Sequence, residues 1–205
     1  MNKKKNKNIL DQMNTVIIQY NAGNITSVKF ALERLGASYI LSDDPEVISS
    51  AGRVIFPGVG EASSAMRYLR ERKLDKTIRS LTQPLLGICL GMQLLCTHSE
   101  EGDTDCLEII PAEVKKFNNH IKVPQIGWNT IGDYKDPLFE KIPESSYVYY
   151  VHGYYVPLNA YTIAKTEYGI SYSAAIRKDN FWGVQFHPEK SANAGEQILK
   201  NFLSF

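Results

Sequence analysis

A cysteine stands between two glycines in Gly87-Ile88-Cys89-Leu90-Gly91, after the apolar run PLL and before MQLL. A Gly-x-nucleophile-x-Gly string at a strand-to-helix junction is the pattern of a nucleophile elbow, here with sulfur in place of a hydroxyl. The turn at such a nucleophile is sharp, so small residues are needed where neighbouring backbone comes close. An elbow lifts the sulfur above the carboxyl edge of the sheet, where open α/β sheets bind ligands. It also sets the next helix N-terminus under the sulfur, which favours thiolate over thiol. A core cysteine in a tight turn would show the same five residues, because free cysteine is often simply buried.

A nucleophilic cysteine needs a base, and the base needs a group to orient it. The chain has four histidines, His98, His120, His152 and His187, and His187 in FWGVQFHPEKS is the best placed. Along that strand Val184 and Phe186 share one face, while Gln185, His187 and Glu189 share the other parity. Pro188 cannot continue a central ladder, so the strand should end there with His187 at its tip. A carboxylate two residues on, Glu189, can accept the imidazole N–H and stabilise the imidazolium. A surface histidine beside a chance glutamate reads the same way in isolation. The third element is Pro57-Gly58-Val59-Gly60 after the strand RVIF. Its backbone N–H groups, Val59 with the amide of Leu90, are placed to form a hole for a tetrahedral oxyanion; a plain β-to-α turn is the alternative.

The elements that must carry these residues follow from periodicity. Thr15–Tyr20 is β-branched and apolar, the pattern of a buried strand. Val28, Ala31, Leu32 and Leu35 fall at helical spacing and stop at Gly36. Short strands at about 38–41 and 53–56 flank a second helix starting near Asp44-Pro45, and Ser63–Leu81 reads as helical in two pieces. PLLGI is the next strand, and Met92–Thr97 continues as a helix. Residues 106–165 alternate β-rich runs with Gly, Pro and Asn turns, which indicates hairpins. SAAIRK and FWGVQF are late strands, followed by a last helix over Ala194–Phe202. The fold class is therefore α/β: an open, mostly parallel sheet flanked by helices, with an added antiparallel β-hairpin region.

The 205 residues suit one domain over 13–205, with 1–12 as a flexible, basic N-terminal extension and Met13 as a possible functional start. A net charge of +1 provides no field for nucleic acid or an anionic membrane. No stretch has the apolar length of a membrane span, and TVII after the basic opening is too short for a signal-peptide core. Three cysteines without ligand spacing imply no metal and a reduced, cytoplasmic setting.

PGVG, GICLGMQLL and FHPEKS, in that chain order, resemble class I (triad) glutamine amidotransferases. With GNITSVKFALERLG, GWN and YYVHGYYV, the strings are most similar to the glutaminase subunits of imidazole glycerol phosphate synthases, from Thr15 onward. The resemblance implies that Cys89 attacks the glutamine side-chain amide to form a thioester, with His187 as acid and base and Glu189 orienting it. It places Gly58 and Gln93 at the glutamine, with Glu101 at its α-amino group. It implies no cofactor, and a heterodimer with a (β/α)8-barrel cyclase that uses the ammonia to make imidazole glycerol phosphate and AICAR from PRFAR. Asn24, Trp128 and Lys190 match positions facing that cyclase. A half-buried core tryptophan and a solvated surface lysine are the ordinary alternatives for the last two.

The chain departs from the family pattern at Gln125 and Ile126, where a His and a Met are usual. It departs again over Thr104–Ile110, at IPAEV, and at Gln19-Tyr20-Asn21. Two other functions share most of these features. One is a different triad glutaminase, or a cysteine amidohydrolase of the same fold serving another synthase. The other is a binding module with a dead site, against which the intact Cys89, His187 and Glu189 argue.

Overall fold

The computed structural model describes residues 14–20, 25–118 and 120–205. The expected N-terminal extension, the start at Met13 and the docking residue Asn24 lie outside the described residues.

Strand β1 (Thr15–Ile18) is buried at all four positions, as a β-branched run covered on both faces must be. Helix α1 (Ile25–Arg34) buries Val28, Ala31 and Leu32, and Gly36 closes it at φ 67°, a left-handed turn that glycine adopts at no steric cost. After β2 (Tyr39–Ser42), the Asp44 carboxylate accepts the Glu46 N–H at 2.8 Å and caps α2 (Pro45–Ser49). Strand β3 (Arg53–Gly58) leads to the expected two-piece helix, α3 (Ala62–Glu71) and α4 (Leu74–Arg79), broken at Lys73 with φ 59°. Strand β4 (Leu85–Cys89) is buried throughout.

Helix α5 (Leu90–Leu94) starts two residues before the expected Met92 and lasts little more than one turn. It gives out because the chain beyond it is recruited into a small sheet, with the Thr97 N–H donating to Ala112 O at 2.9 Å. That sheet comprises β5 (His98–Ser99), β6 (Thr104–Asp105), β7 (Glu113–Lys116) and, from further on, Tyr154–Tyr155. Strands β8 (Gln125–Ile131) and β9 (Ser146–His152) form a separate antiparallel ribbon, with Tyr154–Tyr155 following as β10. Then come β11 (Thr162–Glu167), β12 (Ser171–Lys178) and β13 (Phe181–Val184). Helix α6 (Ala192–Leu203) ends the chain, two residues longer at its start than the periodicity suggests.

The main sheet runs β11-β12-β13-β4-β3-β1-β2. Its five strands from β13 to β2 are parallel, and β12 and β11 add antiparallel to one side. Because side chains alternate along each strand, the sheet divides the core in two. Val16, Ile18 and Phe56 pack with Met66 and Leu69 on one face. Ile17 and Ile55 pack with Leu32, Leu199 and Phe202 on the other. Each fully buried aliphatic chain contributes about 1.5–3 kcal/mol relative to exposure, so these layers rigidly hold the strand ends between them. At the carboxyl edge Gly58 and Cys89 are paired in register across β3 and β4.

Candidate active site

Cys89 occupies φ 54°, ψ −109° at the end of β4, a region that costs a non-glycine residue of order 1–3 kcal/mol and persists only where its surroundings enforce it. The enforcement is close packing of glycine backbone. A methyl group built on Gly91 would run into the Phe56 carbonyl, and one on Gly58 would lie 2.6 Å from the Gly91 nitrogen. The elbow is thus pressed against the end of β3, which explains why the pentapeptide and PGVG occur together. The short helix α5 supplies local amides under the sulfur, not the long dipole that a helix to Thr97 would supply.

Cys89 is only 6% exposed, yet it lines an open cleft of about 340 Å³ together with Val59, Leu90, Gln93, Glu101 and His187. Strand β13 ends at Val184, short of the tip expected at His187, which stands three residues further on, just before the 3-10 turn Pro188–Lys190. The His187 N–H donates to Tyr149 O at 2.9 Å. The Ser191 hydroxyl donates to His187 O at 2.6 Å and accepts the Tyr149 N–H at 2.9 Å. Two backbone ties therefore pin this turn to β9.

The His187 ring is buried with Nδ1 2.8 Å from Glu189 Oε1, and it lines the same cleft as Cys89. Burial alone would discharge the ring. The hydrogen bonds and charges of Cys89 and Glu189 outweigh that and hold its pKa well above the ordinary histidine value. The carboxylate takes Nδ1–H, so Nε2 is the nitrogen left to face sulfur, and a proton can pass between thiol and ring.

Around the sulfur lie contacts that motif reading did not single out. The Cys89 thiol is 3.7 Å from Val151 O, and Gln185 Nε2 is 3.7 Å from Cys89 Sγ. Gln93 Nε2 donates to Tyr154 O and to Gln185 Oε1, each at 3.0 Å. The segment Val151–Tyr154 forms one wall of the cleft. Its signal in the sequence was weak, since aromatic and β-branched runs such as YVYYVHGYYV are ordinary strand material. Gln185 did carry a signal: a polar residue in the middle of an apolar strand is buried only if it has partners.

The remaining expected residues fall in different places. Gly58 lies buried at the end of β3 beneath Tyr20 and Gly91, whereas Val59 and Gly60 line the cleft itself. Glu101 lines the cleft, with Oε2 accepting the Ala62 N–H at 2.9 Å, and burial raises its carboxyl pKa. Lys190 reaches the cleft mouth. Trp128 is 52% exposed and packs edge-on against Tyr149, so the core reading of this tryptophan does not hold. Ile126 and Tyr147 are also exposed, and the pairs Ile126–Val151, Trp128–Tyr149 and Thr130–Tyr147 put them on one face of the ribbon. Among the described residues no group of histidine, cysteine and acidic side chains is arranged to hold a metal ion, and no helix is long and apolar enough to cross a membrane.

Residues 10–204 match the family model for class-I glutamine amidotransferases. The chain is 52% identical to the imidazole glycerol phosphate synthase subunit HisH of Bacteroides thetaiotaomicron, over 93% of this chain and 99% of that protein. It is 51% identical to the protein of the same name from Idiomarina loihiensis, over 93% and 97%. A solved structure of a putative GMP synthase component from Thermoplasma acidophilum superposes with a TM-score of 0.72 at 20% identity, covering 93% of this chain and 92% of that one. At that identity the likeness is one of fold.

Proposed function

The chain belongs to the class I glutamine amidotransferase family, and from that premise we propose that it is the glutaminase subunit of an imidazole glycerol phosphate synthase, in histidine biosynthesis. Its relatives at about half identity carry that name over nearly their whole length.

In this reading Cys89 attacks the side-chain amide carbon of glutamine while His187 takes the thiol proton through Nε2. The tetrahedral oxyanion is met by the amides of Val59 and Leu90, where one lost donor costs about 3 kcal/mol. His187 returns the proton to the nitrogen, the C–N bond breaks, and ammonia leaves a thioester on Cys89. A water molecule, deprotonated by the same ring, attacks the thioester; glutamate leaves and the thiol is restored. Glu189 keeps the ring's tautomer and stabilises its charged form throughout. Gly58 and Gln93 hold the substrate, and Glu101 pairs with its α-ammonium group. The ammonia goes to a (β/α)8-barrel cyclase that converts PRFAR to imidazole glycerol phosphate and AICAR. Trp128 and Lys190 dock that partner, and Asn24 is assigned to the same surface from the family pattern. The three free cysteines suit a cytoplasmic protein.

The observation that carries this reading is the meeting of Cys89 and His187 at one cleft, with the imidazole bonded to the Glu189 carboxylate behind it. Glutamate release should be slow for the isolated chain and rise when the cyclase and its nucleotide substrate are added. Cys89→Ala should abolish it and leave the complex intact. Ammonia release by that variant would refute the assignment.

A further inference from the structure

Gln185 is completely buried. It stands where β13 would continue, still paired through its N–H to Ala174 O at 2.8 Å, and its neighbours Val184 and Phe186 are apolar core residues. Burying a carboxamide costs free energy unless both of its ends are bonded. Both ends of this one are turned to the reaction site.

The direction of each bond can be worked out from one fixed point. A backbone carbonyl only accepts, so the atom of Gln93 that lies 3.0 Å from Tyr154 O must be its nitrogen. That same nitrogen lies 3.0 Å from the Gln185 side chain, which must therefore present its oxygen. The amide nitrogen of Gln185 is left pointing at Cys89 Sγ, 3.7 Å away. Orientation passes from a carbonyl in the cleft wall through two carboxamides to the nucleophile, and no step of it is free to reverse. The oxygen is then the end of the Gln93 carboxamide that takes no part in these two bonds, on a residue that lines the cleft.

We propose that Gln185 is a second partner of the Cys89 sulfur, an N–H donor that stabilises the thiolate and, through Gln93, fixes the acceptor presented to the substrate. Its contact opposes that of Val151, whose carbonyl at 3.7 Å is a partner for S–H and not for a bare sulfur anion. Gln185 thus favours the reactive form of the sulfur, whereas the Val151 contact favours the resting form. Toward the substrate Gln185 is a positioning residue, acting through Gln93.

The titratable groups near the sulfur are His187 with Glu189 behind it, and Tyr20 and Tyr172, which both feel its charge. Across the cleft are His152, Glu101 and Lys190. None is altered by the substitutions that test the idea.

The test compares the full-length chain with Gln185→Met, which removes both bonds, and Gln185→Glu, which keeps the shape and the acceptor but replaces the donor with a negative oxygen. The rate of Cys89 alkylation by iodoacetamide is followed against pH, with the glutaminase reaction measured in complex with the cyclase. The alkylation midpoint should rise by about one pH unit in Gln185→Met, because a hydrogen bond to a charged group is worth roughly that much, and further in Gln185→Glu. Gln185→Met should also raise KM as Gln93 loses its anchor. If both variants alkylate along the wild-type curve, the proposal is wrong, and a lowered melting temperature with an unmoved curve would show Gln185 to be packing only. Should Gln185→Met fail to fold, the near-isosteric Gln185→Glu decides alone. The proposal rests on Cys89 being the nucleophile of the reading above. Alkylation reports the sulfur whatever the substrate, so a wild-type complex inactive on glutamine would overturn that reading without touching this one.

Discussion

His152 offers a direct test of how the cleft wall is held together. It sits at the end of β9 with its ring buried between Phe117, Tyr150 and Tyr172. Nδ1 lies 2.7 Å from Tyr154 O and so carries the proton, while Nε2 lies 3.1 Å from the Tyr172 hydroxyl. Burial makes the charged ring costly, and despite the Tyr154 carbonyl, with the His187 charge nearby acting in the same direction as burial, its pKa falls to about 4. In the unfolded chain the ring titrates near 6.5, so above that pH neither state binds a proton and His152 adds no pH dependence. As the pH falls from about 6.5 to about 4 the unfolded chain binds a proton that the native state refuses, and stability drops across that window. A difference of some 2.5 pH units at about 1.4 kcal/mol each amounts to about 3.5 kcal/mol. Urea unfolding of wild type and His152→Gln, at steps from pH 7.5 to 4, isolates this contribution, because other groups titrate alike in both proteins. The gap between them should shrink or invert by about 3.5 kcal/mol on acidification. A gap that stays constant over the whole range would refute the claim that the buried ring is neutral.

Two further perturbations probe the frame of the site and its surface. Gly91→Ala forces a methyl into the Phe56 carbonyl, with backbone on both sides of the clash. It should cost about 3 kcal/mol or more by urea unfolding, with activity lost along with the elbow geometry; a variant as stable as wild type would contradict the close approach. Trp128→Ala should leave the melting temperature within a degree or two and weaken cyclase binding about tenfold or more in titration calorimetry, as expected for an exposed aromatic anchor. Loss of the folded monomer instead would return Trp128 to the core.

The parallel sheet and its helices were legible because their signals are local. β-branched runs such as TVII and helical spacing in α1 need no distant partner to be read. The elbow could be recognised for the same reason, since Gly87, Cys89 and Gly91 lie within five residues. Helix α5 was misjudged because a distant strand decides where it ends: the pairing of Thr97 with Ala112 removes residues whose own preference is helical. The wall made by Val151, His152 and Tyr154 was hidden by its composition, which matches any half-buried strand. Gln185 was assigned to the correct face by parity, yet nothing in the sequence says that Gln93, ninety-two residues earlier, meets it.

The ribbon of β8 and β9 has a consequence for how this chain can change in length. Val148, Tyr150 and His152 point inward, Tyr147, Tyr149 and Val151 point the other way, and the main chain of Tyr149 is where the His187 turn is fastened. Removing one residue within either strand would swap the two sets, sinking Trp128 or Tyr149 while bringing His152 to the surface and shifting the fastening by one peptide. Between the strands Leu138, Phe139 and Ile142 are buried in the core, but the exposed positions 143–145 sit under no such parity. Gains and losses of residues in descendants of this sequence should therefore accumulate there and stay out of the ribbon, much as a sentence tolerates an added clause but not a dropped letter.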